Sequence, residues 1–349
     1  MQPSATNKSV FIIAGMHRSG TSLTAALLQN SGVDIGQRLM EASYSNAKGH
    51  FENLDFVEFH EDILHSHGIS KAGWTLEKTI SVQPQYWDRA KALIKRNLSK
   101  EIWGWKDPRT TLFLQFWLDL IPTAKVLLIY RSPWEVIDSL YRRDDDLFYS
   151  NPNFALQLWI HYNQIALDFH RQAPDKFLLL NIEKIACEQT YLTDRIKEKF
   201  GISLPPPNDE IYDRSLLHTH PPTSQRIALL EHYFHEALDL YQDLNIASQA
   251  VDRVSINADL LETSPQDYAA WALQDWLDVR RLERELSFSE DRYQQTKQEM
   301  EKFHIQLMQT QAKLEVSDNL IAAMESSKFW QLRGKWLQLK RALGLKGDE

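Results

Sequence analysis

The stretch GMHRSGTS, residues 15–22, has the pattern of a loop that holds an anion. Its two glycines permit a tight turn and a close approach of the backbone. The amides that follow the second glycine, Gly20, would converge at the N-terminus of a helix, where anions bind well. Gly-Thr-Ser turns also cap ordinary helices, so the loop alone favours an anion site without proving one.

The positive charge of this loop is displaced from its place in an ATP-binding P-loop. In the P-loop pattern a lysine follows the second glycine, but here Thr21 takes that position and Arg18 lies three residues earlier. An apolar run at residues 125–130 ends in Tyr130. Arg131 follows it, where an ATP-binding site would have an aspartate that could hold Mg²⁺. The sequence therefore favours an anion of lower charge than a triphosphate, bound by amides and a guanidinium without a metal.

Two other segments carry side chains suited to the same site. Arg131 ends a predicted strand, where open α/β sheets bind ligands, and Ser139 follows on the next predicted helix. The two would suit a further phosphate, whereas a local pair between Arg131 and Glu135 is the alternative. In WGWKDPRTT, Lys106 stands at a predicted strand-to-helix junction. We expect it to reach the same cleft, unless it is a surface lysine beside Asp107.

The segments MHRSGTS, WKDPRTTL and LLIYRSPWEVIDSL, in this order, resemble the sulfotransferase superfamily, whose donor is 3′-phosphoadenosine 5′-phosphosulfate (PAPS). The arginine in the first loop and the Lys-Asp-Pro are closer to bacterial and tyrosylprotein-type members than to the cytosolic small-molecule enzymes. The resemblance covers roughly residues 8–220. It implies that Lys106 lies near the transferring group and that Arg131 and Ser139 bind the 3′-phosphate. It also implies that the 5′-phosphosulfate is held by Arg18, Ser19, Gly20, Thr21 and Ser22.

The acceptor hydroxyl in such a reaction needs a base. Tyrosylprotein-type enzymes place Gly-Glu-Glu after the first helix, but residues 36–38 here are Gly-Gln-Arg. We favour Glu52 as the catalytic base, because a glycine, an aromatic residue and a glutamate before a helix are similar to an element of bacterial sulfotransferases. His50 and Glu41 are the alternatives, and Glu52 would otherwise only complement the dipole of the helix predicted after it.

Continuous apolar runs at residues 10–14, 125–130 and 177–180 predict strands that are buried on both faces, as in a parallel sheet. Helical patterns lie between them, at residues 22–29, 54–64, 134–142 and 154–171. The sequence thus predicts an α/β fold: a P-loop-like, three-layer architecture with a central parallel sheet, followed by a long C-terminal helix or coiled coil.

The C-terminal part has a different pattern. A seven-residue apolar repeat runs from Val279 to Ile321, but four of the seven companion positions are polar, which indicates a weak coiled coil or a single long helix. Between Lys328 and Lys346 there are six Lys or Arg and no acid, interleaved with Phe, Trp and Leu. Such a segment favours contact with an anionic membrane or docking onto a partner.

These patterns divide the chain into four parts. We assign residues 1–255 to a sulfotransferase domain, 256–278 to a linker, 279–326 to a coiled coil and 327–349 to a basic amphipathic tail.

Composition limits the function and the location of the chain. A net charge of −8 over 349 residues argues against a general nucleic-acid binder. The polar N-terminus lacks the apolar core of a signal peptide, and no apolar run approaches the roughly 20 residues of a membrane span. The single cysteine, Cys187, cannot form an internal disulfide, and we expect it to be buried. We therefore expect a cytoplasmic protein whose tail makes peripheral contact with the inner face of the membrane.

The predicted function is transfer of a sulfuryl group from PAPS to a hydroxyl acceptor, without a metal. The stretch ESSKFWQLRGKWLQLKRALGL resembles the C-terminal ends of some bacterial glycosyltransferases, which implies a carbohydrate acceptor. A homo-oligomer would form through the coiled coil. One alternative is a P-loop kinase of small molecules, which the missing lysine and aspartate disfavour. The other is a non-catalytic coiled-coil scaffold, disfavoured by intact Arg18, Lys106, Arg131 and Ser139.

Overall fold

The computed structural model describes residues 8–40, 51–98, 100–143, 145–208, 224–249 and 267–343, without the side chains of 224–228 and 267–271. Within these residues, four parallel strands form one sheet in the order β2-β1-β3-β4. They are β1 (Ser9–Ala14), β2 (Ile102–Lys106), β3 (Lys125–Tyr130) and β4 (Phe177–Asn181). Three strands match the predicted apolar runs. The fourth, β2, is the aromatic stretch before Lys106, which lacks the continuous aliphatic run that marks the others.

The sheet separates two hydrophobic cores. Alternate side chains of β1 point to opposite faces, so Val10 and Ile12 belong to one core while Phe11 and Ile13 belong to the other. The first core is the larger and holds most of the buried tryptophans. Helices complete both cores, which gives three layers and confirms the predicted α/β fold class.

The helices connect the strands in the pattern expected of a parallel sheet. Those predicted from sequence, α1, α2, α5 and α7, begin and end within two residues of the predicted bounds. The helices of this part of the chain are α1 (Thr21–Asn30), α2 (Leu54–Ser66), α3 (Gln85–Asn97), α4 (Leu114–Leu120), α5 (Pro133–Tyr141), α6 (Asp146–Ser150), α7 (Pro152–Gln172), α8 (Ile182–Cys187), α9 (Tyr191–Phe200), α10 (Ser224–Tyr233) and α11 (His235–Ala247). A 3₁₀ helix, Pro108–Phe113, follows β2.

Cys187 is exposed, contrary to our expectation. It is the last residue of α8, whose buried residues are Ile182, Ile185 and Ala186. The helix turns by about 100° per residue, so the residue after Ala186 rotates away from the core. The apolar sequence before Cys187 therefore did not predict its exposure.

Two long helices follow, α12 (Asp267–Ser326) and α13 (Lys328–Ala342). The chain divides into two compact units, Met1–Arg281 and Leu282–Glu349. The start of α12 belongs to the first unit, where Trp276 Nε1 and Arg280 Nε donate to Asp138 Oδ1 at 3.0 and 2.6 Å. Of the predicted linker, residues 256–266 lie outside the described residues and residues 267–278 form these first turns.

The apolar repeat of α12 is exposed in a single chain. From Val279 to Ile321 its members are 49 to 67% accessible. The long helix is thus confirmed, whereas its assembly into a coiled coil stays a prediction. Among the described residues, no helix combines the length and the apolar character needed to cross a membrane.

Candidate functional site

The loop of residues 15–20, here called the anion loop, leaves the carboxyl end of β1 and enters α1. Both of its glycines are required by the packing. Gly15 has φ +142°, and a Cβ there would lie 2.2 Å from the carbonyl oxygen of Ile129 in the neighbouring strand β3. Gly20 has φ +89°, and its Cβ would meet the side chain of Ile182 at 2.2 Å. The backbone can follow this path only without those side chains.

The end of the anion loop has donors suited to an anion. Gly20 is the N-cap of α1 and supplies no side-chain hydrogen bond to the first turn. The first N–H groups of a helix have no acceptor within the helix, and they carry its positive dipole end. Beside them, Ser19 Oγ is completely buried and has no hydrogen-bond partner among the residues that the structure describes. Backbone and hydroxyl donors therefore occur on consecutive residues at the end of the loop.

Arg18 supplies positive charge to the same loop. Its backbone is left-handed, with φ 67°, a conformation that costs free energy in a non-glycine residue. Its Nε donates to Ser139 Oγ on α5 at 2.7 Å. The pKa of Arg18 is lowered to about 10. Burial is the largest cause, and the positive charges of Arg143, Arg131 and Arg142 add to it. This part of the site is electropositive, as a site for anions should be.

Arg131 stands at the carboxyl end of β3, the strand next to β1. It is buried, and its Nε donates to Glu135 Oε2 at 2.9 Å. The local pair considered as an alternative is therefore present. The charge of Arg131 also acts on Arg18, which in turn contacts Ser139, so the structure brings these three predicted residues into one region. Trp159 Nε1 donates to the carbonyl oxygen of Arg131 at 3.0 Å and fixes the strand end.

A pair of carboxyl groups adjoins Arg131. Burial raises the pKa of Glu183 to about 7, and the charge and hydrogen bond of Glu135 raise it in the same direction, whereas Arg131 opposes them. Asn181 caps α8 by accepting from Glu183 N at 2.8 Å. Glu183 and Glu135 are 48 positions apart in the sequence, so no local pattern indicates that they meet. The raised pKa of Glu183 favours its protonated form, which limits the repulsion between the two carboxyl groups.

The second predicted group of residues also comes together. Lys106 ends β2 and is 1% exposed, and its Nζ donates to Glu52 Oε1 at 2.8 Å. The other oxygen, Glu52 Oε2, accepts from Arg109 at 3.3 Å, and Arg109 also contacts Asp107 Oδ1 at 2.8 Å. We call Glu52, Lys106, Asp107 and Arg109 the buried cluster. Two cations and two carboxylates balance in it, as buried charges require.

His60 supports the buried cluster from α2. Its Nδ1 lies 2.7 Å from Asp107 Oδ2, and Trp117 Nε1 donates to its Nε2 at 2.8 Å. An indole N–H can only donate, so Nε2 of His60 carries no proton and Nδ1–H donates to the carboxylate. Burial favours the neutral acid, but Arg109 and His60 outweigh it and hold the pKa of Asp107 well below its usual range. Asp107 is thus a fixed negative charge.

Two residues of the site were missed by sequence reasoning. Arg109 lies within the quoted KDPRTT segment, but its contact with Glu52 spans 57 positions. His17 precedes Arg18, is 9% exposed, and has an Nε2 without a hydrogen-bond partner among the described residues. Burial, followed by the charge of Arg109, holds the pKa of His17 well below its usual value. Adjacency to Arg18 was the only sequence signal for it.

A hydrogen bond joins the anion loop to the 3₁₀ helix that follows β2. Gly15 N donates to Thr111 Oγ1 at 2.9 Å, and Thr111 follows the buried cluster in the 3₁₀ helix. The charges of Arg109, Asp107 and Lys106 all act on His17 in the loop. The anion loop and the buried cluster therefore lie near each other at the carboxyl edge of the sheet. Glu41 and His50, the other candidate bases, lie outside the described residues.

Comparison with known proteins gives distant similarities. No protein-family model matches the chain, and no curated protein matches it. Similar solved structures include the sulfotransferase domain of the olefin synthase from Synechococcus PCC 7002, with 18% identity, a TM-score of 0.36, and coverage of 79% of this chain and 96% of that chain. Another is sulfotransferase STF1 from Mycobacterium tuberculosis H37Rv, with 14% identity, a TM-score of 0.32, and coverage of 70% and 77%. Similarity at this level does not assign an activity.

Proposed function

We propose that this protein is a PAPS-dependent sulfotransferase that acts on a hydroxyl group. The observation that carries this proposal is the meeting of Arg18, Arg131 and Ser139 beside the N-terminus of α1. A ligand with two separate anionic groups suits this arrangement, since one group can bind the helix N-terminus and the other the guanidinium and hydroxyl donors. The phosphosulfate and the 3′-phosphate of PAPS are such a pair.

Each residue of the site has a role in this proposal. The anion loop and α1 bind the phosphosulfate through Arg18, Ser19, Gly20, Thr21 and Ser22. Arg131 and Ser139 bind the 3′-phosphate. Glu135 accepts a hydrogen bond from Arg131 Nε and so orients the guanidinium. Arg18 Nε and Ser139 Oγ are 2.7 Å apart, which supports binding of the two anionic groups by neighbouring donors.

In the reaction, the acceptor oxygen forms a bond to sulfur while the bond from sulfur to the 5′-phosphate oxygen breaks. The hydroxyl proton passes to a base, and negative charge accumulates on the departing phosphate oxygen. Arg18 and Lys106 stabilise that charge, because fixed cations in a dry site act without reorganising. Burial lowers the pKa of Lys106, whereas the charge and hydrogen bond of Glu52 oppose that effect.

Among the candidates that the structure describes, two residues compete for the role of the base. Glu52 is the sequence-based choice, but both of its oxygens already accept hydrogen bonds from cations. His17 Nε2 is buried, lacks a described partner, and belongs to an imidazole that is neutral near pH 7. The geometry therefore favours His17 as the proton acceptor and Glu52 as the residue that positions Lys106.

Two conservative variants separate these roles. If His17 is the base, His17→Gln lowers kcat about 10²- to 10⁴-fold without a change in thermal stability. Glu52→Gln then lowers both kcat and the melting temperature, because it removes the carboxylate that Lys106 and Arg109 share. If His17→Gln keeps normal turnover while Glu52→Gln loses it at an unchanged melting temperature, Glu52 is the base.

The proposed function itself is tested by ligand binding and by transfer. Equilibrium titration should show tight binding of 3′-phosphoadenosine 5′-phosphate without a metal, and weak binding of ATP with Mg²⁺. The reverse order would favour a small-molecule kinase. Transfer of labelled sulfate from PAPS should then be measured with fractionated bacterial glycans and with peptides. We propose a carbohydrate acceptor, so label in the peptide fraction alone would contradict that part.

A further inference from the structure

The helix α13 has a sharp start and no buried side chain. Ser327 caps it, with its Oγ accepting from Trp330 N at 3.3 Å, and the helix runs from Lys328 to Ala342. None of its side chains is buried within the chain. The helix therefore presents apolar residues that its own unit does not cover.

Most of these apolar residues lie on one side. With about 100° between successive residues, the five apolar side chains spaced at three, four, three and four positions fall within an arc of about 80°. They are between 56 and 77% exposed, and they are Phe329, Leu332, Trp336, Leu339 and Leu343. We call this set the apolar stripe.

Basic side chains border the apolar stripe on both sides. By the same geometry, Lys328 and Lys335 lie along one edge, and Arg333 and Lys340 lie along the other. Residues 328–343 contain no acid. Long basic side chains in such positions keep their charge in water while their stems extend over apolar surface.

The neighbouring part of α12 differs in charge although its apolar residues are equally exposed. Residues 282–326 carry nine Asp or Glu and only five Lys or Arg. Leu307 and Leu314 there are 55 and 61% exposed, as much as Leu339 of the apolar stripe. A negatively charged surface would repel this segment, whereas α13 combines apolar exposure with positive charge.

We propose that α13 binds the anionic surface of a lipid bilayer and lies in its plane, with the apolar stripe inserted between the headgroups. The basic borders match the charge of acidic lipids. At about 1.5 Å per residue the helix is about 22 Å long, too short to span the roughly 30 Å apolar core of a bilayer. A second copy of α13 is a poorer occupant, because pairing would bring two sets of five cations together.

The test uses the full chain and flotation with vesicles. The chain should float with phosphatidylcholine vesicles that contain one-third phosphatidylglycerol, and should bind less when phosphatidylglycerol is omitted or salt is raised. Lys335→Gln with Lys340→Gln should lower the partition coefficient roughly thirtyfold. Phe329→Ser with Trp336→Ser should abolish flotation.

The matched control is Gln331→Ser with Gln338→Ser, which changes the opposite side of α13 and should leave flotation unchanged. Equal flotation of all three double variants, or equal binding to neutral vesicles, would overturn the proposal. Loss of self-association in the Phe329→Ser, Trp336→Ser variant, with no flotation of the unchanged chain, would instead assign the apolar stripe to a second copy. The proposal does not depend on the sulfotransferase assignment.

Discussion

The cations at the edge of the sheet and the cations of α13 illustrate two uses of positive charge. Lys106, Arg109 and Arg131 are buried, and each has a carboxylate within hydrogen-bond distance. The basic residues of α13 lie in a segment without acids. Because burial of a charge costs several kcal/mol, a buried cation needs a partner that also fixes its geometry. An exposed cation needs none, and it acts through a field that salt screens.

Arg18 falls between these two cases. It is only partly buried, unlike Lys106, and its pKa is lowered by burial and by neighbouring positive charges. Its Nε donates to the neutral hydroxyl oxygen of Ser139. A bound anion would therefore relieve the repulsion between Arg18 and its neighbouring arginines. The effects predicted below are ordered by decreasing size.

The largest expected effect is on folding. Asp107→Ala removes a buried carboxylate from Arg109 and from His60, so it should lower the free energy of unfolding by about 3–5 kcal/mol. Urea unfolding followed by tryptophan fluorescence measures this loss. A loss below about 1 kcal/mol would mean that the buried cluster behaves like a set of surface pairs.

The next effect is on catalysis. Arg18→Ala should lower kcat for sulfuryl transfer about 10²- to 10³-fold, which corresponds to about 3 kcal/mol of transition-state stabilisation. Urea unfolding of the variant separates this catalytic loss from any change in stability. Arg38→Ala is the matched control, since that arginine is 51% exposed and pairs with Asp55. Equal turnover of both variants would contradict the site.

A smaller effect depends on pH. The pKa of Glu183 is about 7 in the folded chain, against 4.5 for an ordinary glutamate, so folding favours its protonated form. Its contribution to stability is complete below pH 4.5 and is lost as the pH rises to 7. The loss should be about 2 kcal/mol, with allowance for its partial exposure. Lys184, Arg131 and Glu135 also act on this carboxyl group.

Glu183→Gln tests this effect, because glutamine keeps the shape of the side chain but cannot titrate. Between pH 4.5 and 7, the free energy of unfolding should decline less steeply in the variant than in the unchanged protein. Identical slopes would show that folding does not raise the pKa of Glu183.

The sequence patterns predicted three of the four strands and their parallel arrangement. Continuous apolar runs located β1, β3 and β4, and the parallel arrangement places the residues after β1 and β3 side by side. That is why Arg18, Arg131 and Ser139 could be grouped without a structure. The contacts within the buried cluster depend instead on how side chains from distant segments pack. The contacts of Glu52 with Arg109 and of His60 with Asp107 join residues about 50 positions apart, and periodicity carries no information about such pairs.

The smallest effect is expected at the surface pair of Arg89 and Asp62. Their atoms are 2.5 Å apart, as close as any pair in the buried cluster, but their side chains are 43 and 52% exposed. Water screens the attraction, and ordering two long side chains costs entropy, so Asp62→Ala should lower stability by about 0.5 kcal/mol. Added salt should remove most of this loss while leaving that of Asp107→Ala almost unchanged. Equal salt dependence of the two variants, measured by urea unfolding, would show that burial does not distinguish the two kinds of ion pair.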